Sequence, residues 1–196
     1  MSKSKVIEIR WHGRGGQGAK TAALLFADAA MSLGKYIQAF PEYGPERMGA
    51  PVQSFNRLAD DPITVHCGIT DPQIVLVLDP TLMATVDVAQ GLPKDGKLIV
   101  NTSKTPQEIR KEINLKAAQI FTVNASGIAQ EKIGRNIPNT PMLGALVKVS
   151  GLLDFNEMIK NTEDKLKKKF AHKPEIIKGN LEAIKTAHDQ VKGEKR

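Results

Sequence analysis

The first residues whose types and spacing suggest chemistry are Gly13-Arg14-Gly15-Gly16-Gln17-Gly18. They match G-x-G-x-x-G. Glycines permit positive φ and close backbone approach, and the first N–H groups of a following helix point at an anion. A phosphate or pyrophosphate is the natural occupant, with Arg14 and Lys20 adding positive charge. His12 stands just before the loop, where it reaches such a phosphate or packs locally. The same glycines also suit a bare strand-to-helix turn that binds nothing. A dinucleotide would want an acidic residue after the second strand, for the ribose hydroxyls. Glu42 is nearby but follows Pro41 into irregular chain. Asp79, Asn101 and Asn124 fall at the ends of other expected strands, where they rim a crevice or cap helices.

Other chemistries find less support. Cys67 is the single cysteine, too few for an intrachain disulfide, a zinc CxxC site or an iron–sulfur cluster. It reads as a small core residue, and a reducing cytoplasm is the expected compartment. His12, His66, His172 and His188 form no HExxH pattern, so no bound metal is expected. His66 and Cys67, adjacent on a strand, would point to opposite faces. No nucleophile–base pair stands out, so the residues describe a binding domain without catalytic machinery of its own.

These groups need a scaffold. Lys5–His12 reads as a strand, and Ala19–Leu33 as a helix closed by Gly34. Lys35–Phe40 reads as a second strand, completing a βαβ unit. Pro41–Pro51, with three prolines and two glycines, reads as irregular. Val52–Leu58 reads as a strand in a hairpin with Ile63–Cys67. The apolar run Gln73–Leu78 is expected to be a central parallel strand. Asp79-Pro80 should open a helix to Gln90, and Thr105-Pro106 another to Asn114. Lys97–Val100 and Gln119–Val123 read as strands, with Ser126 capping the next helix. From Asn136 only helices are expected. These are Met142–Ser150 with Thr140 as cap, one opened by Asp154 and Glu157, and one opened by Pro174. The fold class is α/β: a doubly wound, Rossmann-like, mostly parallel sheet with helices on both faces. It is read as a single domain, with residues 1–135 as core and 136–196 as a helical extension.

The chain has 196 residues and a formal charge of +7. Residues 155–196 hold 11 basic and 7 acidic side chains, net +4, and residues 1–154 hold 17 and 14, net +3. That balance suits a phosphate-bearing ligand or an acidic surface. A nucleic-acid adaptor is the outlying alternative, but aromatics are only 5% and no recognition motif accompanies the lysines. No window is apolar enough to span a membrane. A free-standing NAD- or FAD-binding protein remains open from these residues alone.

Three segments carry a resemblance: Arg10–Lys20 (RWHGRGGQGAK), Ala39–Arg57 (AFPEYGPERMGAPVQSFNR) and Asn136–Leu146 (NIPNTPMLGAL). In type and order they resemble the gamma subunit of pyruvate:ferredoxin oxidoreductase and its 2-oxoacid relatives, over essentially the whole chain. The resemblance implies a multi-subunit enzyme that oxidatively decarboxylates a 2-oxoacid to an acyl-coenzyme A and reduces ferredoxin. Pyruvate is the implied substrate, with 2-oxoisovalerate as the alternative. The resemblance places thiamine diphosphate, magnesium and iron–sulfur clusters on the alpha, beta and delta partners. A GDG…NN motif for thiamine diphosphate is lacking here; Lys94-Asp95-Gly96 has no partner asparagines. The resemblance implies that this chain helps receive coenzyme A at its edge, with His12, Gly13, Arg14, Gly15, Gly16, Gln17, Gly18 and Lys20 as the candidate site. Glu42, Tyr43, Glu46 and Arg47 are the candidate contacts with other subunits.

Overall fold

The computed structural model describes residues 6–42, 49–113, 115 and 118–194. A seven-stranded sheet runs in the order β2-β3-β1-β4-β5-β6-β7. The strands are β1 (Ile7–Arg14), β2 (Tyr36–Glu42), β3 (Pro51–Ala59), β4 (Ile74–Val77), β5 (Lys97–Asn101), β6 (Gln119–Val123) and β7 (Lys192–Gly193). β1, β4, β5 and β6 are parallel neighbours. β3 is antiparallel to both β1 and β2, and β7 is antiparallel to β6. The helices are α1 (Ala19–Ser32), α2 (Pro106–Ile113), α3 (Ala125–Ile133), α4 (Asn139–Ser150), α5 (Phe155–Lys169) and α6 (Pro174–Gln190).

Side-chain alternation sorts the core onto two faces. Ile9, Trp11, Ile74, Leu76 and Ile99 pack with α1, α3, α4 and α6. Val75, Val77, Leu98, Val100 and Ile120 pack with Leu82 and with Ile109 of α2 on the other face. The 136–196 segment contributes to the first of these cores: Asn139 to Val147 of α4 are all buried.

The mixed sheet departs from the expected pairing. β1 and β2 run parallel but are not neighbours, because β3 lies between them. β3 therefore has no free edge for Ile63–Cys67, which forms no strand. That segment crosses the sheet face and is held by Arg57, which donates to the carbonyls of Val65, Cys67 and Gly68. Cys67 is exposed there, not a core residue.

Several boundaries also move. The expected helix to Gln90 is one 3-10 turn, Pro80–Ala84, because Asp87 takes the amide of Ala89 and turns the chain out. Asn124, not Ser126, caps α3 by accepting from the Gly127 amide. α4 starts at Asn139, ahead of Thr140, with Pro138 in the cap position. A strand does follow Asn136: β7 is latched to the sheet by the Arg110–Glu194 ion pair. No helix among the described residues is long and apolar enough to cross a membrane.

Candidate functional site

β1 runs on to Arg14, so the first two residues of the glycine pattern are strand and the turn proper is Gly15–Gly18. Gly16 and Gly18 have φ of 96° and 81°, the left-handed conformation that glycine adopts without strain. Gly16 and Lys20 are exposed. Gly18 is the cap residue of α1; it offers no side chain, and the first turn has no acid. The positive end of the α1 dipole is therefore uncompensated by its own side chains.

The loop lies where the winding of the sheet reverses. From β1 the chain passes through α1 on one face toward β2. From β4 it passes across the other face toward β5. In open α/β sheets the crevice at such a switch point is the customary ligand position. Here side chains bridge it. Asp79, at the end of β4, accepts from Arg14 Nε at 3.1 Å and from Gln17 Nε2 at 2.7 Å through one oxygen. Its other oxygen accepts from the Thr81 amide at 3.0 Å and the Thr81 hydroxyl at 2.7 Å. Burial opposes ionisation of Asp79. The bonds from Thr81 and Gln17, with the Arg14 charge, outweigh it and hold the carboxyl below its ordinary range. Gln17 Oε1 also accepts from the Arg14 amide, folding the loop back on itself.

Arg14 is engaged along its whole guanidinium. Besides Asp79 it donates to the Gly49 carbonyl at 3.1 Å and to Thr81 Oγ1 at 2.9 Å. The Gly15 amide donates to Ala50 O, and the Gly49 amide to Gly15 O. The far end of the proline–glycine segment is thereby sewn to the glycine loop. Glu42, at the end of β2, is exposed; Tyr43, Glu46 and Arg47 lie outside the described residues.

His12 is not turned to the loop's outer surface. It is 2% exposed on the face opposite α1, its Nε2 has no hydrogen-bond partner, and its pKa is pushed down to about 3 by burial and then by Arg10. Arg10, one register step back on the same face, donates to the carbonyls of Val88 and Gln90. Asn101 and Asn124 serve structure: Asn101 ties the Leu78 carbonyl to Ser126, and Asn124 is a helix cap.

Sequence reasoning singled out the Asn136–Leu146 segment but assigned it no site residue. In the structure it meets the glycine loop directly. A Cβ on Gly18 would lie 2.7 Å from Asn139 Nδ2, so only glycine lets α4 approach this closely. The signal for Asn139 in the sequence was a short polar string ahead of an apolar helix, nothing more. Residues 10–20, 49–57 and 136–146 thus converge at the carboxyl end of β1. Among the described residues no group of three His, Cys, Asp or Glu side chains could hold a metal ion.

Fold and corner define the class: a doubly wound α/β domain with helix N-termini gathered at its topological switch point. Known proteins narrow it. Residues 8–190 match a family model described as pyruvate ferredoxin/flavodoxin oxidoreductase. The chain is 46% identical to pyruvate synthase subunit PorC of Thermotoga maritima, over 96% of each chain. It is 45% identical to the pyruvate/ketoisovalerate oxidoreductases common subunit gamma of Thermococcus litoralis, over 94% of this chain and 97% of that one. The crystal structure of pyruvate oxidoreductase subunit PORC (EC 1.2.7.1) from Thermotoga maritima superposes with a TM-score of 0.85 at 42% identity, covering 97% of this chain and 99% of that chain. The chain belongs to the pyruvate ferredoxin/flavodoxin oxidoreductase family and is a gamma-type subunit of a 2-oxoacid oxidoreductase complex.

Proposed function

We propose that this gamma-type subunit works with alpha, beta and delta partners, and that its complex converts pyruvate, coenzyme A and oxidised ferredoxin to acetyl-coenzyme A, carbon dioxide and reduced ferredoxin. The carbon–carbon bond to the carboxylate breaks, and the acyl carbon bonds to the coenzyme A sulfur as the thiol proton is released to solvent. The electron pair released goes to ferredoxin. Thiamine diphosphate, magnesium and the iron–sulfur clusters belong to the partners in this reading. This chain supplies the coenzyme A side and a docking face.

The observation that carries the reading is the convergence of three distant segments on the N-terminus of α1. Coenzyme A brings a pyrophosphate and a ribose phosphate, and both suit backbone amides and a nearby lysine. Gly15 to Gly18 and Lys20 are the residues assigned to it. Arg14 and Gln17 hold the loop in shape through Asp79. Glu42 and the Gly49–Pro51 stretch flank the surface assigned to subunit contacts.

The isolated chain should show no pyruvate oxidation, and activity should return on reassembly with its partners. Pyruvate turnover by the chain alone would refute the division of labour. Turnover of 2-oxoisovalerate above pyruvate in the complex would replace the substrate while leaving the subunit role intact. Gly16 has open space around its Cβ position but a φ of 96°, so Gly16→Val distorts the loop without a clash. In the reassembled complex it should raise the KM for coenzyme A. Unchanged kinetics would remove the loop from the site.

A further inference from the structure

We infer that residues 191–194 form an edge strap, a releasable segment that keeps β6 from pairing with the β6 strand of a second copy of this chain. The inference makes no use of the coenzyme A reading.

β6 is the last of the parallel strands. Its sequence, Gln-Ile-Phe-Thr-Val, has no charge, no proline and no glycine. All but the first residue are β-branched or aromatic, the types that favour strands. Left uncovered, such a strand is a template for another chain. The opposite edge of the sheet guards itself. β2 holds Pro41 and ends at the exposed Glu42, and both features blunt strand pairing. β6 has neither.

The residues after α6 supply the guard instead. Val191 donates its amide to the Ala187 carbonyl at 3.1 Å and packs its side chain against the core. Lys192 and Gly193 pair with Thr122 and Phe121 in an antiparallel ladder. A Cβ on Gly193 would lie 2.8 Å from the Phe121 ring, so glycine lets the strap lie close. The Glu194 amide donates to the Ile120 carbonyl at 3.3 Å. Each oxygen of the Glu194 carboxylate accepts from Arg110 of α2. Arg110 also donates to the carbonyls of Leu115 and Ala118, on the chain leading into β6.

A two-residue ladder is below the usual length of a strand, so the ion pair is the fastening. Its bidentate geometry sets it apart from ordinary surface pairs. The strap also puts charge on the rim: Lys192 is exposed, opposite the uncharged Thr122. Once the strap is freed, a second copy is the occupant that β6 itself specifies. Two such strands can pair antiparallel about a two-fold axis with no like charges facing.

The test uses the full chain. Glu194→Lys sets like charges against each other at Arg110. Amide hydrogen exchange should quicken in β6 by at least about tenfold while β5 stays protected. Sedimentation velocity should show a dimer fraction that grows with protein concentration and exceeds that of the unaltered chain several-fold. Thr122 borders a cleft of about 390 Å³, which has room for a longer side chain. Adding Thr122→Lys charges the freed edge. It should return the dimer fraction to that of the unaltered chain and leave β6 exchange fast. Glu194→Gln removes the charge without repulsion; it should move both readings in the same direction by less, and it carries the test if Glu194→Lys does not fold. Unchanged β6 exchange in the folded Glu194 variants, fast exchange without added dimer, or dimer that Thr122→Lys leaves in place would each overturn the inference.

Discussion

Burial makes His12 an acid-sensitive point in the molecule. Its pKa of about 3 lies below the ordinary value of 6.5, so the unfolded chain takes up the proton first. Stability from this group is complete above the ordinary value and is lost as pH falls toward the folded one. The slope is about 1.4 kcal/mol per pH unit inside that window. His12→Leu removes the titrating group and leaves an apolar side chain where Nε2 had no partner. Between about pH 7 and pH 4.5, the unaltered protein should lose about 2–3 kcal/mol more than the variant. Urea unfolding at both pH values measures the difference, and equal losses would show that His12 is solvated. The two left-handed glycines separate strain from contact in the same way. Gly16→Ala meets open space and should cost about 1 kcal/mol from its positive φ alone. Gly18→Ala adds a collision with Asn139 and should cost about 2 kcal/mol or more, read from denaturant midpoints.

Helices pack here by backbone approach. A Cβ on Gly144 would collide with the Ile184 carbonyl, and one on Gly179 with the Lys132 carbonyl. α4 thus lies against α6, and α6 against α3, with no side chain between them at those points. Gly144→Ala forces α4 and α6 apart beneath the site and should cost at least about 1–3 kcal/mol; a thermal melt within a degree of the unaltered protein would show that the layer yields freely. The parallel strands were legible because Gln73–Leu78, Lys97–Val100 and Gln119–Val123 are apolar runs spaced by helical stretches, and Asp79 and Asp154 proved to be caps. β3 was legible as a strand but not as an interior one. Its Ser54, Asn56 and Arg57 are polar, which suggests an outer hairpin, yet all three are buried. Their partners are remote in sequence: Asn56 bridges Trp11 Nε1 and the Ala23 carbonyl, and Arg57, 1% exposed, pairs with Glu8. The glycine loop was legible as a strand-to-helix turn. The Arg14–Asp79 tie spans 65 positions and leaves no local periodicity, and the Gly18–Asn139 contact joins residues still farther apart.

At the scale of the whole molecule the sheet has two halves with different chemistry. The parallel half is apolar on both faces. The antiparallel half carries Glu8, Arg10, His12, Gln38 and Arg57 on one face, a layer joined by hydrogen bonds from Arg57 to Glu8 and Gln38. The glycine loop stands at the boundary, so the parallel half positions α1 and α4 while Gly49 and Ala50, leading into β3, are tied to Gly15. The net charge of +7 acts over longer range. On the proposed reading it draws a polyanion toward the loop amides and Lys20, and such steering is screened by salt over about 10 Å at 0.1 M. Raising the salt from about 50 to about 300 mM should therefore raise the coenzyme A KM of the reassembled complex several-fold, with kcat unchanged. The pyruvate KM should change little, because this reading places its contacts on the partner subunits. Lys20→Gln should flatten the salt dependence of the coenzyme A KM. A salt response carried by kcat, or shared equally by both substrates, would mean that the charge serves assembly instead of capture.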